Sequence, residues 1–162
     1  MINRRLLLSS APALVGSLAA AQTVPARTKV DKGPPLALDL VKEFVGAAHG
    51  KFDRTKEMLA EQPGLLNATW DWGGGDFETG LGGASHMGNK EIALFLIEKG
   101  ARVDIFAAAM LGKLEVVKAM CSVMPGIHRS LGPHKITLLA HAKRGGADAV
   151  VEYLERLEKS SE

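Results

Sequence analysis

Residues 79–100, TGLGGASHMGNKEIALFLIEKG, carry the clearest structural pattern of the chain. The part up to Gly88 has the small residues of a short helix that ends at a glycine. Asn89 predicts the N-cap of a second helix, which ends at Gly100. Six consecutive apolar residues, Ile92 to Ile97, leave this second helix without a polar face. Such a helix has to be covered on more than one side, so we expect helix pairs that stack on one another.

The same pattern recurs along the chain. Aligning residues 44–65 with residues 106–127 gives eight identities in 22 pairs. The glycines that end the first helix of each copy are spaced 38, 24 and 34 residues apart, about 32 on average: Gly50, Gly88, Gly112 and Gly146. A period of this length is typical of repeat proteins. Alanines recur in each first helix, where a small side chain lets neighbouring helices approach: Ala47, Ala84, Ala108, Ala109 and Ala142.

These residues resemble the ankyrin repeat, whose signature runs T-P-L-H-x-A with a glycine closing the first helix. The second copy keeps Thr79, Leu81 and Ala84, and GARVD at 100–104 is similar to the family's GADVN ending. The fourth copy keeps the same three anchors: Thr137, Leu139 and Ala142. No copy keeps the proline or histidine of the turn motif. The resemblance covers residues 40–158.

The resemblance implies an all-α fold in which residues 36–159 form an ankyrin-like solenoid of about four helix-turn-helix repeats. The 24-residue spacing between the second and third copies is shorter than the family period of about 33. We therefore expect the hairpin finger to be missing there. The connection after the first copy, NATWDWGGGDFE at 67–78, is enlarged instead. Whether the first copy is a true repeat or only a cap stays open.

The first 21 residues predict a signal peptide. Arg4 and Arg5 precede an apolar run that ends in Ala19 to Ala21, an A-x-A-like cleavage site. The run is too short and too interrupted for a membrane anchor, so no stable membrane insertion is expected after cleavage. The paired arginines partly resemble the twin-arginine signal, and the general export route is nearly as well supported. Both routes lead to a periplasmic or secreted protein. Residues 22–35, with three prolines, predict a flexible linker.

Charge and cysteine content exclude several classes of function. The chain has 20 Lys plus Arg and 18 Asp plus Glu, and the signal peptide contains two of the basic residues and no acid. The mature chain is therefore neutral, and its charge does not favour nucleic acid as a partner. A single cysteine, Cys121, cannot form an internal disulfide or a thiolate metal cage.

The five histidines give no recognisable catalytic or metal motif. His49, His86, His128, His134 and His141 form no i,i+4 pair on one helix and no H-E-x-x-H. A metal site would have to be assembled across repeats, so we predict none, and no cofactor. No G-x-S-x-G or P-loop is present, and the three glycines at 73–75 predict a turn or hairpin tip. We therefore expect a protein that is not an enzyme.

The aromatic residues of the enlarged connection are the strongest candidates for binding, since Trp dominates interface hot spots. Alternatively, they fold back and seal the edge of the repeats. We predict an exported, monomeric module that binds a protein partner of unknown identity through its concave face and loop tips. Its predicted binding residues are Trp70, Trp72, Asp76 and Phe77 at the tip and His86, Met110 and Lys143 on the inner helices. The alternative is a small metal-binding or hydrolytic protein that uses His86, His141 and nearby acidic residues on the inner helices. A protective role without a defined partner also stays open.

Overall fold

The computed structural model describes residues 33–159. The predicted signal peptide, residues 1–21, and residues 22–32 of the predicted linker lie outside the described residues. Within residues 33–159 the chain is mostly helical, which confirms the all-α prediction at this coarse level. The eight α-helices of this part are α1 Leu38–Ala47, α2 Phe52–Glu61, α3 Gly80–Met87, α4 Lys90–Glu98, α5 Ile105–Met110, α6 Leu114–Val123, α7 Leu138–Arg144 and α8 Asp148–Lys159.

The helices follow one another in pairs, and a short turn separates the two members of each pair. The turn between α3 and α4 contains Gly88, which has a φ of 74°. A side chain is disfavoured at this φ, and a Cβ there would also lie 2.6 Å from the Arg144 carbonyl oxygen. Gly88 therefore serves both the turn and the close approach of α7.

Side-chain caps fix where several helices begin. Thr79 Oγ1 accepts a hydrogen bond from the Gly82 N–H at the start of α3, and Asn89 Oδ1 accepts one from Ile92 at the start of α4. Asp104 and Thr137 cap α5 and α7 in the same way. Each cap satisfies a backbone N–H that has no partner inside its helix.

The first helices of the four pairs pack against one another in one layer. Helix α1 contacts α3, α3 contacts α5, and α5 contacts α7, while α3 also contacts α7. In a second layer, α2 contacts α4 and α6 contacts α8. Two apolar clusters lie between the layers. One contains Phe44, Met58, Leu65, Ile92 and Leu96, and the other contains Ile105, Val117, Leu138, Val150 and Leu154.

A β-hairpin occupies the enlarged connection between α2 and α3. After a 3₁₀ turn at Pro63–Asn67, β1 (Thr69–Asp71) pairs antiparallel with β2 (Phe77–Thr79). Asp71 Oδ1 accepts hydrogen bonds from the Gly73 and Gly75 N–H groups and so fixes the tip. Across residues 33–159, every helix falls short of the length and apolar character that a membrane crossing requires.

Candidate functional site

Four separate segments bring three histidines and a glutamate together. His49 lies just after α1, His86 lies on α3, and His134 lies in a 3₁₀ turn, Pro133–Lys135, between α6 and α7. Glu78 lies on β2, where strand alternation turns its side chain inward while Phe77 points outward. Although it is a carboxylate, Glu78 is only 1% exposed.

The ligand atoms of these four residues are close enough to share one ion. One atom from each lies within 4.8 Å of every other. The His49 Nε2 atom is 3.3 Å from Glu78 Oε2, and the His86 Nε2 atom is 3.1 Å from Glu78 Oε1. The His134 Nε2 atom is 3.5 Å from Glu78 Oε2. All three imidazoles thus direct the same nitrogen toward one buried carboxylate.

The ring of His49 is held by its own helix and by its neighbour. Its Nδ1 atom lies 2.9 Å from the Val45 carbonyl oxygen, which can only accept a hydrogen bond. On the other side, the ring lies close to α3 at Gly83, where a Cβ would be 2.8 Å from ring atoms. Any side chain at position 83 would force the His49 ring to shift.

His134 is fixed by the hairpin tip. Asp76 Oδ1 accepts a hydrogen bond from the His134 backbone N–H at 2.8 Å, and Asp76 Oδ2 lies 2.7 Å from His134 Nδ1. His134 has a φ of 57°, a left-handed conformation that costs a non-glycine residue about 1 kcal/mol or more. The two hydrogen bonds that Asp76 accepts hold His134 in this strained conformation.

Trp72 covers the cluster from the hairpin side. Its indole Nε1–H donates a 2.8 Å hydrogen bond to Glu78 Oε2. Its ring lies 6.0 Å from the His49 ring and 6.1 Å from the His134 ring, measured between centroids. The indole therefore limits solvent access to the carboxylate while satisfying one of its lone pairs.

The electrostatics of the cluster favour an ionised glutamate. Burial acts to raise the pKa of Glu78, but the adjacent imidazoles of His49 and His86 and the Trp72 indole hold that pKa at about 2. The Glu78 carboxylate in turn raises the pKa of His49. The backbone N–H of His134 is the main group that lowers the pKa of Asp76.

Two buried atoms of the cluster have no hydrogen-bond partner: Glu78 Oε1 and His86 Nε2. They are 3.1 Å apart, but their geometry makes no hydrogen bond. Leaving a buried polar group unsatisfied costs about 1 to 3 kcal/mol, and more for a charged one. Three imidazole nitrogens and a carboxylate are also the donor types that bind zinc in proteins. The cluster therefore has the chemistry to hold a cation.

The predicted binding residues lie in different environments. Trp72, Asp76 and His86 belong to the cluster and its surroundings, and Phe77 beside them is 61% exposed. Trp70 packs against the first apolar cluster, as the sealing alternative predicts for this side chain. Met110 is fully buried in that cluster, so it cannot reach a partner in this conformation.

Two more residues named from the sequence lie apart from the cluster. The Lys143 side chain is 54% exposed and pairs with Glu155 at 2.9 Å. His141, predicted together with His86 for the metal-binding alternative, is fully buried and packs against Phe106.

Sequence reasoning missed His49, Glu78 and His134 as members of a site. They belong to a helix end, a strand and a loop, so no fixed spacing connects them. The expectation of no metal site rested on spacing within single helices, which does not detect a cluster assembled from four segments. Glu78 lies between two more exposed residues of a three-residue strand, and alternation over so short a segment gives no usable signal in the sequence.

No model of a known protein family matches the sequence, and no curated protein is significantly similar to it.

Proposed function

We propose that the protein is an exported recognition module of the ankyrin repeat type, and that it binds another protein at the rim formed by its hairpin and the loop before α7. The resemblance of the sequence to the ankyrin repeat supports the solenoid architecture. The consecutive helix pairs are consistent with it, whereas the direct contact of α3 with α7 departs from stacking between neighbouring repeats alone. Solenoids of this kind recognise partners through extended surfaces and need no catalytic group.

The observation that carries the proposal is the exposure of large apolar side chains at this rim. Phe77 is 61% exposed and Leu131 is 55% exposed, although they come from different segments. Both line one cleft of about 310 Å³, together with Phe106 and Pro133. Exposed apolar patches of this kind mark interaction sites, and aromatic residues dominate their binding energy.

The polar groups around this cleft suit recognition by complementary shape and charge. Asp76, Thr79 and Asp104 line the cleft. An apolar side chain of a partner would fill the cleft, while charges at its edge would tune the rate of encounter. In this proposal the protein is a monomer, is not an enzyme and binds no nucleic acid.

The proposal includes export. The mature protein begins at Gln22, after cleavage behind Ala21. Mass spectrometry of the protein from the producing cells tests this directly: the expected species starts at Gln22, and a species that retains Met1 outside the cytoplasm would contradict it.

Site-specific photocrosslinking tests the recognition surface. We would place benzoylphenylalanine at Phe77, with Val123 as the matched control, because Val123 is 78% exposed but lies on α6. Irradiation of the producing cells should give one stoichiometric protein adduct from position 77 and not from position 123. The same adducts from both positions, or none from position 77, would count against the proposal.

A further inference from the structure

We propose that His49, Glu78, His86 and His134 form a site for one divalent transition-metal ion of the zinc class. This site goes beyond protein recognition and does not depend on the identity of any partner. Each ligand comes from a different segment, so a bound ion would join the end of α1, the hairpin, α3 and the loop before α7.

The separations between ligand atoms are close to those of a zinc site. Ligand atoms of a tetrahedral zinc site with bonds of about 2.1 Å lie about 3.4 Å apart. The Nε2 atoms of His49 and His134 lie 3.3 and 3.5 Å from Glu78 Oε2, and the Nε2 atom of His86 lies 3.1 Å from the other oxygen, Oε1. The four ligand atoms lie within 4.8 Å of one another, so small rotations of the rings would complete the geometry.

The hydrogen bonds of two of the rings fix which nitrogen carries the hydrogen. The Val45 carbonyl and the Asp76 carboxylate can only accept, so the Nδ1 atoms of His49 and His134 carry their hydrogens. In the neutral rings, Nε2 then has a lone pair that faces an oxygen of Glu78. Two acceptors at about 3.4 Å repel each other unless a cation lies between them.

One added proton would relieve the contact of only one ring with Glu78. Protonating all three rings would place three imidazoliums around one carboxylate, with ring centroids 4.8 Å apart for His49 and His86 and 5.1 Å for His86 and His134. One divalent ion can bind the lone pairs of all three rings while every ring stays neutral. Its charge of +2 is then balanced by Glu78 and by Asp76, which holds His134. The ion also gives a partner to the unsatisfied buried His86 Nε2 atom, and to Glu78 Oε1 when that oxygen is the ligand.

The surroundings match those of known metal sites. Ligating histidines almost always donate their other N–H to a carbonyl or carboxylate, which fixes the ring orientation. Val45 does this for His49, and Asp76 does it for His134. The strained φ of His134 is a further sign that its position is imposed by the surroundings.

The donor set selects the class of metal. Imidazole nitrogen suits Zn²⁺ and the neighbouring ions Co²⁺, Ni²⁺ and Cu²⁺, whereas Ca²⁺ and Mg²⁺ require oxygen ligands and Cu⁺ prefers sulfur. Four protein ligands fill a tetrahedral shell, as in structural zinc sites. The site therefore suits a tightly held ion that fixes the hairpin and the loop relative to the helices.

Isothermal titration calorimetry with Zn²⁺ on the untagged full chain, first freed of metal with a chelator, tests the site. We expect one ion per chain. The variants His86→Gln and His134→Asn should each weaken the Zn²⁺ affinity at least about 100-fold. Loss of a residue that only hydrogen-bonds a ligand typically weakens it about 10- to 100-fold. Asparagine is the choice at position 134 because it tolerates the left-handed conformation. The control, His128→Asn, removes a histidine outside the cluster and should leave the affinity unchanged.

Circular dichroism of each variant establishes that its helices are retained, so a loss of affinity reports on the ligand. Co²⁺ provides a second readout that does not depend on the calorimetry: it should give the visible absorption of a four-coordinate ion, absent in His134→Asn. Absence of Zn²⁺ binding by the wild-type chain, or equal affinity in wild type, His86→Gln and His134→Asn, would overturn the proposal.

Discussion

Asp76 shows how one side chain positions another. Its two oxygens bind two different groups of His134, the backbone N–H and Nδ1. In Asp76→Asn a single oxygen remains for these two donors, so one bond is lost and the ring is less firmly held. We expect Zn²⁺ affinity to fall about 10- to 100-fold, measured by calorimetry.

The matched control for this prediction is Asp71→Asn. It removes one negative charge from the same hairpin, but its retained side-chain oxygen still accepts the bonds from the glycines at the tip. Equal losses of affinity in the two variants would show that net charge, and not the position of His134, is responsible.

His141 provides a pH prediction at the same scale. Burial is the main cause that lowers its pKa below the ordinary 6.5, although its bond to Thr137 and the charge of Asp104 act in the opposite direction. As pH falls, the His141 ring takes up a proton at a higher pH in the unfolded chain than in the folded chain. The free energy of unfolding should therefore decrease as pH falls below about 6.5, and the decrease should end once pH is below the pKa of the folded state.

Urea unfolding at pH about 7.5 and about 5.5 measures this effect. The decrease in the midpoint should be smaller in His141→Gln, which has no titrating ring. The same decrease in both proteins would assign the acid sensitivity to other groups.

At the scale of elements, α5 and the end of α7 approach each other very closely at Gly145. A Cβ at Gly145 would lie 1.9 Å from the Met110 carbonyl oxygen. Gly145→Ala should therefore separate the two helices and lower the free energy of unfolding by about 3 kcal/mol, measured with urea. Gly46→Ala is the control, because a Cβ meets nothing within 4 Å there and should stabilise α1 by up to about 1 kcal/mol. Similar effects of both changes would contradict the close packing.

The helix pairs could be predicted because their signals are local. Asn89 and Thr79 cap the helices that follow them, and Gly88 ends α3 with a positive φ. The hairpin is harder to predict, since its strands have only three residues each and alternation cannot be recognised over that length. The turn at its tip was still indicated by three consecutive glycines.

The cluster could not be predicted, because it depends on tertiary structure. His49 and His134 come together only because the end of α1 and the loop before α7 both lie next to His86 on α3. The local sequence around each histidine contains no information on this tertiary contact. From the sequence, each histidine is interpreted without its tertiary neighbours. For a single histidine, a structural or surface role is commoner than a role as a metal ligand.

At the scale of the whole molecule, a metal that joins four segments should stabilise the entire fold. Zn²⁺ at about one hundred times its dissociation constant adds about 2.7 kcal/mol to the folded state. For a domain of this size we expect Tm to rise by about 10 °C, measured by circular dichroism. Mg²⁺ at the same concentration should have no effect. A Tm that does not respond to Zn²⁺, or that responds equally to both ions, would contradict the proposed linkage.

Anomalous X-ray diffraction at the zinc absorption edge, on crystals grown from Zn²⁺-loaded protein, tests most directly whether the histidine–glutamate cluster is a metal site. We predict a strong peak in contact with Glu78 and with the Nε2 atoms of His49, His86 and His134. Zinc found only at surface residues, with the cluster lacking a peak, would contradict it.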